Sequence, residues 1–169
     1  MASLFGVELR DVKRTWDQQR GKYVLDGNVW FKHSMLGTWT HSYGLRDRFS
    51  FEEWDRTLRK PLDAFRRSGI AFYNGSPYVL SWSNLISVLW AYKKCEEEFS
   101  KARKDGFGAL VVVYDVYQNN NLQAIRLKCL TKEEVYENPD YQRFKEAVGD
   151  CFGRTTWVFT SKKDFIVTE

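Results

Sequence analysis

The N-terminal region interleaves aromatic and basic side chains between residues 13 and 33. Aromatic rings stack on unpaired bases while lysine and arginine hold the phosphate backbone, so this combination is suited to single-stranded nucleic acid. The candidate binding residues here are Arg14, Trp16, Arg20, Lys22, Tyr23, Trp30 and Lys32. Core packing is the alternative use of the rings, because the chain has 12 Phe, 9 Tyr and 7 Trp. Trp30 and Phe31 would also face opposite sides of a strand.

A second basic set follows in a segment with helical periodicity. Apolar residues at positions 51, 54, 58, 62 and 65 recur at intervals of three and four, which predicts an amphipathic helix. Basic side chains away from this stripe would contact a phosphate backbone; they are Arg56, Arg59, Lys60, Arg66 and Arg67. An ordinary solvated face is the alternative, because acidic residues share the segment: Glu52, Glu53, Asp55 and Asp63.

Charge is unevenly distributed along the 169-residue chain. Residues 1–68 contain 13 Lys and Arg against 9 Asp and Glu, whereas residues 69–169 contain 13 of each class. The whole net charge of +4 therefore belongs to the N-terminal part. This asymmetry predicts a polyanionic partner for that part of the chain, and nucleic acid is the usual one.

The cysteine and histidine content argues against a metal or cofactor. Cys95, Cys129 and Cys151 are far apart and include no C-x-x-C pair, and His33 and His41 are the only histidines. A structural zinc site needs four such ligands at short spacing. Glycine-rich phosphate loops and known nucleophile motifs are also absent. We therefore expect no cofactor, no metal and, from the odd set of thiols, an intracellular, reducing compartment.

A metal-dependent nuclease is the enzymatic alternative. Asp115 lies in one predicted strand and Lys128 ends the next, with predicted helices on either side. This order resembles restriction-endonuclease-like folds, in which an acid two residues before the lysine helps to hold a metal ion. That position is Arg126 here, so the resemblance implies a degenerate nuclease. Asp115 and Arg126 are instead predicted to form a structural ion pair across the hairpin.

These observations favour a non-enzymatic binding protein that engages RNA or single-stranded DNA. The alternative is a protein-interaction or assembly component, such as a viral or phage accessory protein, with a protein partner or a homo-oligomeric interface. Interface centres also favour aromatic residues and arginine. No apolar run approaches the length needed to cross a bilayer, and residues 1–14 lack the pattern of a cleaved secretory signal. We therefore expect no membrane partner.

The elements that would position the first basic set begin with a predicted hairpin. Residues 22–32 form two extended runs around Asp26-Gly27, a strong two-residue turn signal. Residues 33–49 are predicted to be a loop or an irregular edge strand. A second hairpin is predicted around Asn74-Gly75, which lies between apolar flanks.

The helix that carries the second basic set is predicted to begin at Ser50. Glu53 lies three residues later, the spacing of a capping box. Pro61 predicts a kink inside this helix, and Ser68-Gly69 predicts its end. Residues 82–104 form the longest predicted helix.

Residues 109–117 and 122–130 are predicted to be paired strands. If residue 117 faces residue 122, one face of the hairpin is apolar throughout and is expected in the core. That face would hold Leu110, Val112, Tyr114, Val116, Ile125, Leu127 and Cys129.

The C-terminal pattern completes the chain. Thr131 and Glu134 have the spacing of a capping box, and Asn138-Pro139 predicts that the helix restarts there. Residues 155–160 and 165–168 are predicted to be closing strands.

The alternation of hairpins and helices predicts one α+β domain over residues 1–169. About three helices are expected on one face of a largely antiparallel sheet built from hairpins. Residues 1–49 would form the basic, aromatic-rich hairpin and loop region, and residues 50–169 the helix–hairpin core.

Overall fold

A computed structural model describes residues 1–73, 76–77, 81–117, 122–149 and 153–168. The strands are β1 (Ser3–Leu4), β2 (Val7–Asp17), β3 (Lys22–Phe31), β4 (Ser34–Ser42), β5 (Arg48–Phe49), β6 (Phe72–Tyr73), β7 (Ser76–Pro77), β8 (Ala109–Asp115), β9 (Gln123–Leu127), β10 (Arg154–Phe159) and β11 (Ile166–Val167). The α-helices are α1 (Arg59–Ser68), α2 (Trp82–Lys104), α3 (Lys132–Glu137) and α4 (Pro139–Phe144). Single 3-10 or π-helical turns are Arg56–Leu58, Lys145–Gly149 and Lys162–Phe165. The α+β class is therefore confirmed.

The larger sheet has the strand order β11-β1-β2-β3-β4-β5. Its pairs are antiparallel except for β1 with β11, which are parallel. The long strands β2, β3 and β4 form a meander that extends well beyond the short strands at both edges. Residues 33–49, predicted as a loop or irregular edge strand, in fact supply all of β4 and β5, with β4 as an inner strand.

The predicted turn at Asp26-Gly27 is wrong. β3 runs straight through both residues, and Gly27 lies opposite Trp39 of β4. A Cβ at Gly27 would lie 3.1 Å from Leu9 Cδ1, so this glycine permits close packing within the sheet. Pairing with strands on both sides outweighs the local turn preference, and the two-residue link falls instead at Lys32 and His33.

The helix predicted from Ser50 begins nine residues later. Asp55 caps the preceding 3-10 turn by accepting from the Thr57 backbone N–H, and α1 starts at Arg59. The Ser50 hydroxyl is engaged elsewhere, because it accepts from the Thr38 backbone N–H at 2.7 Å. Pro61 therefore lies in the first turn of α1, where no intrahelical bond is lost and no kink is needed. The predicted stop is confirmed: Gly69 caps α1 with a φ of 65°.

The smaller sheet has the order β10-β8-β9 and is covered on both faces. The predicted register of β8 with β9 is wrong by three residues, since Ala109 lies opposite Leu127. An odd shift moves one strand's side chains to the other face. Leu110, Val112 and Tyr114 lie in the core as predicted, in the cluster that includes α2, but Leu127 and Cys129 pack with Val111, α3 and α4.

The remaining elements connect the two sheets. β10 pairs with β8 and β11 pairs with β1, so the two closing strands belong to different sheets. The larger hydrophobic cluster contains residues of both sheets, α1 and α2. The pairing of β6 with β7 confirms the second hairpin, although Asn74 and Gly75 lie outside the described residues.

The helix starts in the last third of the chain are confirmed. Thr131 caps α3 and Asn138 caps α4, with Pro139 in its first turn. Two cysteines are buried free thiols, Cys95 and Cys129, and Cys151 lies outside the described residues. No helix in the described ranges is long and apolar enough to span a membrane.

Candidate functional site: an aromatic and basic groove

A groove lies between the far end of the β2–β4 meander and α2. Near β1 the inner face of β2 carries buried Val7 and Leu9. A β-bulge then shifts the register between Arg10 and Lys13, and Asp11 adopts a φ of 54° within it. The bulge changes which residues point inward. Within the bulge partly buried Val12 points to the inner face, and beyond it this face continues with Arg14 and Trp16, both exposed.

The groove has a volume of about 760 Å³ and is lined by two elements that are distant in sequence. The sheet contributes Arg14, Trp16, Gly21, Lys22, Tyr23, Leu25, His41 and Tyr43. The facing helix α2 contributes Trp90, Ala91, Lys94 and Glu98, and Leu122 lies at one side. Lys93 fixes the helix against the sheet by donating to the Leu9 carbonyl at 2.8 Å. We refer to this site as the meander groove.

The aromatic rings of the meander groove remain largely accessible. Trp16 is 53% exposed, Tyr23 49% and Tyr43 67%. Trp16 and Tyr23 lie opposite each other on β2 and β3, with edge-to-face rings 4.9 Å apart. Large aromatic side chains are normally buried in the core of a protein. Three exposed rings in one groove therefore indicate a contact surface.

Each basic side chain of the meander groove lies against a ring. The Arg14 guanidinium is 3.8 Å from the centre of the Tyr23 ring. Lys22 Nζ is 5.6 Å from the Tyr43 ring centre and donates to the Tyr43 carbonyl at 3.1 Å. On α2, Lys94 Nζ is 4.6 Å from the Trp90 ring centre. Cation–π contacts orient these side chains and leave their charges uncompensated.

The meander groove has a net positive charge. In the part of the chain that is described, Arg14, Lys22 and Lys94 form no ion pair with a carboxylate. Glu98, the one acid among the described lining residues, contacts Lys101 Nζ at 3.4 Å and Arg126 at 3.8 Å. Three unpaired cations against one shared carboxylate favour an anionic ligand.

A hydrogen-bonded network holds one wall of the meander groove. Asp47 accepts from Trp39 Nε1 at 3.0 Å and contacts His41 Nδ1 at 2.6 Å. The Asp47 side chain is 8% exposed and that of His41 is 27% exposed, so the network ties a partly accessible imidazole to a buried carboxylate. This arrangement orients the His41 ring stacked over Trp39.

The structure brings together only part of the predicted binding set. Arg14, Trp16, Lys22 and Tyr23 line the meander groove, and Arg20 lies in the adjoining β2–β3 turn, 3.9 Å from Asp17. Four further lining residues were not predicted from the sequence: Tyr43, His41, Trp90 and Lys94. Alternation of Trp39, His41 and Tyr43 along a strand, and the i,i+4 spacing of Trp90 and Lys94, were the available signals.

The other predicted residues lie elsewhere. Trp30 points to the outer face of β3, with the Arg10 guanidinium 4.1 Å from its ring centre. Lys32 follows Phe31, the last residue of β3, which is about 26 Å along the strand from Tyr23. Four exposed basic residues belong to α1, and one to the preceding turn: Arg59, Lys60, Arg66, Arg67 and Arg56.

The nuclease alternative finds no support in the arrangement of its residues. Asp115 pairs with Arg154 at 3.0 Å, and Arg126 pairs with Asp105 at 2.7 Å, so the predicted Asp115–Arg126 pair is wrong. The shifted β8–β9 register places these two side chains apart. The described residues contain no group of three or more His, Cys, Asp or Glu side chains placed to hold a metal ion.

Comparison with protein-family models, with curated proteins and with solved structures found no significant match to this chain.

Proposed function

We propose that the protein is a non-enzymatic binding protein that engages RNA or single-stranded DNA in the meander groove. One observation carries the proposal: three cations without carboxylate partners among the described residues lie in the same groove as exposed aromatic rings. Stacking platforms beside cations that contact phosphate are the common physical basis of single-strand binding. The excess positive charge of residues 1–68 supports the same assignment.

The geometry indicates a division of roles. Trp16 and Tyr43 have the most exposed rings of the groove and would stack on bases. Lys22 and Lys94 lie on opposite walls and would contact successive phosphates. The Arg14 guanidinium covers one face of Tyr23 and would present its own plane to a base. Paired bases within a duplex do not expose these faces, so a preference for single strands is expected.

Fluorescence anisotropy with labelled single- and double-stranded RNA and DNA tests the proposal. Two phosphate contacts on a single strand, from Lys22 and Lys94, predict a slope of about −1.4 in a plot of log affinity against log salt. Affinity should then fall roughly seven-fold between about 50 and 200 mM salt. The triple variant R14Q/K22Q/K94Q should bind weakly with a nearly flat salt dependence. The variant W16A should lose about five-fold or more in affinity at every salt concentration.

A matched control removes the same charge from the α1 region, which does not line the groove. In the variant R56Q/K60Q/R67Q three exposed cations of the α1 region are neutralised. It should bind single strands as the wild type does, apart from a small effect of net charge. If this control loses binding and the groove variant keeps it, the α1 face is the binding surface. Absence of binding to every probe, or binding that is insensitive to salt, refutes the proposal.

A protein partner is the second candidate, favoured by one exposed side chain. Trp54 is 74% exposed and lies with Arg46 and Arg59 at the rim of a cavity of about 330 Å³. Exposed tryptophan beside arginine is typical of interface centres. Light scattering would detect a homo-oligomer, and pull-downs with wild type and W54A would detect a partner. If W54A captures the partner as well as the wild type does, this surface is not the binding site.

A further inference from the structure

A second, smaller cavity lies at the opposite end of β3 from the meander groove. It has a volume of about 300 Å³ and lies between the β3–β4 turn and the first turn of α1. Its lining combines apolar side chains with two lysines: Phe5, Phe31, Pro61, Ala64, Lys32 and Lys60. Among the described residues no carboxylate forms an ion pair with either lysine.

Lys32 occupies a backbone position that disfavours it. Phe31 and Ser34 are paired, so Lys32 and His33 form a two-residue hairpin link, and their φ angles are 48° and 67°. Two positive φ values define a turn for which Asn-Gly is the preferred sequence. Phe5 has a similar φ of 54°, but its ring is 8% exposed and gains burial. Lys32 and His33 are both exposed, so no such burial compensates their strain.

Lys60 also occupies a position that disfavours it. It lies in the first turn of α1, which contains no acidic residue. The N-terminus of a helix carries partial positive charge, and a lysine there is unfavourable. Residues that lower stability without local compensation are commonly retained for function. Two such lysines, from elements that are distant in sequence, meet at one apolar cavity.

We propose that this cavity binds a small amphipathic carboxylate, a molecule that joins a carboxylate group to an aliphatic or aromatic body. The ammonium groups of Lys32 and Lys60 hold the carboxylate, and the rings of Phe5 and Phe31 with Pro61 contact the apolar body. Charge complementarity with two unpaired lysines selects an anion. The volume matches the lower end of small-molecule sites.

NMR titration of the full chain tests this site, with octanoate as the probe. Saturable amide shifts are expected at Gly6, Phe31 and Ala64, whereas octanol and acetate, each of which lacks half of the ligand, should give none. K60Q and the double variant K32N/H33G should each weaken octanoate binding about ten-fold or more. The groove variant R14Q/K22Q/K94Q is the matched control and should bind octanoate like the wild type.

The same double variant tests the argument from strain. K32N/H33G places the preferred turn residues in the link, so its midpoint of thermal unfolding should rise by about 3 °C while octanoate binding weakens by the same ten-fold or more. Shifts that do not saturate below about 10 mM, equal shifts with octanol, or unchanged binding in both variants overturn the proposal. A lower midpoint for K32N/H33G overturns the argument from strain. Octanoate binding without any nucleic-acid binding would refute the proposed function alone.

Discussion

Asp47 provides the sharpest test of how the meander groove is held together. Its carboxylate bridges the indole N–H of Trp39 and the imidazole of His41, and this bridge fixes the segment between β4 and β5 to β4 itself. The substitution D47A removes both contacts and adds nothing in their place. D47N keeps an oxygen for the Trp39 N–H and nearly the same shape.

The magnitude follows from burial. Trp39 is 3% exposed, so removal of the carboxylate takes the partner away from a buried N–H donor. A buried donor without a partner costs about 1–3 kcal/mol, and the lost contact to His41 adds about 1 kcal/mol. D47A should therefore lower the free energy of unfolding by about 2–4 kcal/mol. For a chain of this length that corresponds to a fall of about 5–15 °C in Tm. D47N should lower the free energy of unfolding by less than half as much as D47A does.

Urea denaturation followed by tryptophan fluorescence measures these differences. D26A is a matched control, because Asp26 also accepts a hydrogen bond, from Thr40 Oγ1 at 2.8 Å, but it is exposed. D26A should change the unfolding free energy by less than about 1 kcal/mol. If D47A and D26A have equal effects, or if D47A changes stability by less than about 0.5 kcal/mol, the assigned network does not hold the groove wall.

Two further outcomes are expected. A Cβ at Gly108 would lie 2.2 Å from the Cys129 carbonyl oxygen, so the backbone must move to accept an alanine there. G108A should therefore lower the free energy of unfolding, measured by urea denaturation, by about 3 kcal/mol or more. Burial raises the pKa of Asp164, but the Thr160 N–H and the Lys132 ammonium outweigh it and leave that pKa below its ordinary value. The stability advantage of wild type over D164N should therefore be complete above about pH 5 and shrink as the pH falls through the lowered pKa, measured by unfolding at several pH values.

Features with strong local causes were predicted from the sequence. The bounds of α2 follow from a long apolar periodicity, and its structure agrees at both ends. The stop of α1 at Gly69 and the starts of α3 and α4 follow from capping residues, whose effect is confined to one helical turn.

Features that depend on partners distant in sequence were not predicted. Asp26-Gly27 has the composition of a turn, but β2 and β4 flank it and supply ladder hydrogen bonds that a turn would lose. The start of α1 shifted because the Ser50 hydroxyl bonds to the Thr38 N–H of β4 and does not cap a helix. In both cases a long-range contact outweighs a local preference.

The sequence alone determined the chemistry available to this protein: its α+β class, an N-terminal excess of positive charge and the interleaving of rings with cations. Only the tertiary structure decided which of these side chains share a surface. Packing of α2 against the meander sets Trp90 and Lys94 facing Trp16 and Lys22, and the length of β3 separates them from Lys32 and α1. The physical reason is that composition and periodicity act within a few residues, whereas register, bulges and packing depend on contacts between distant segments.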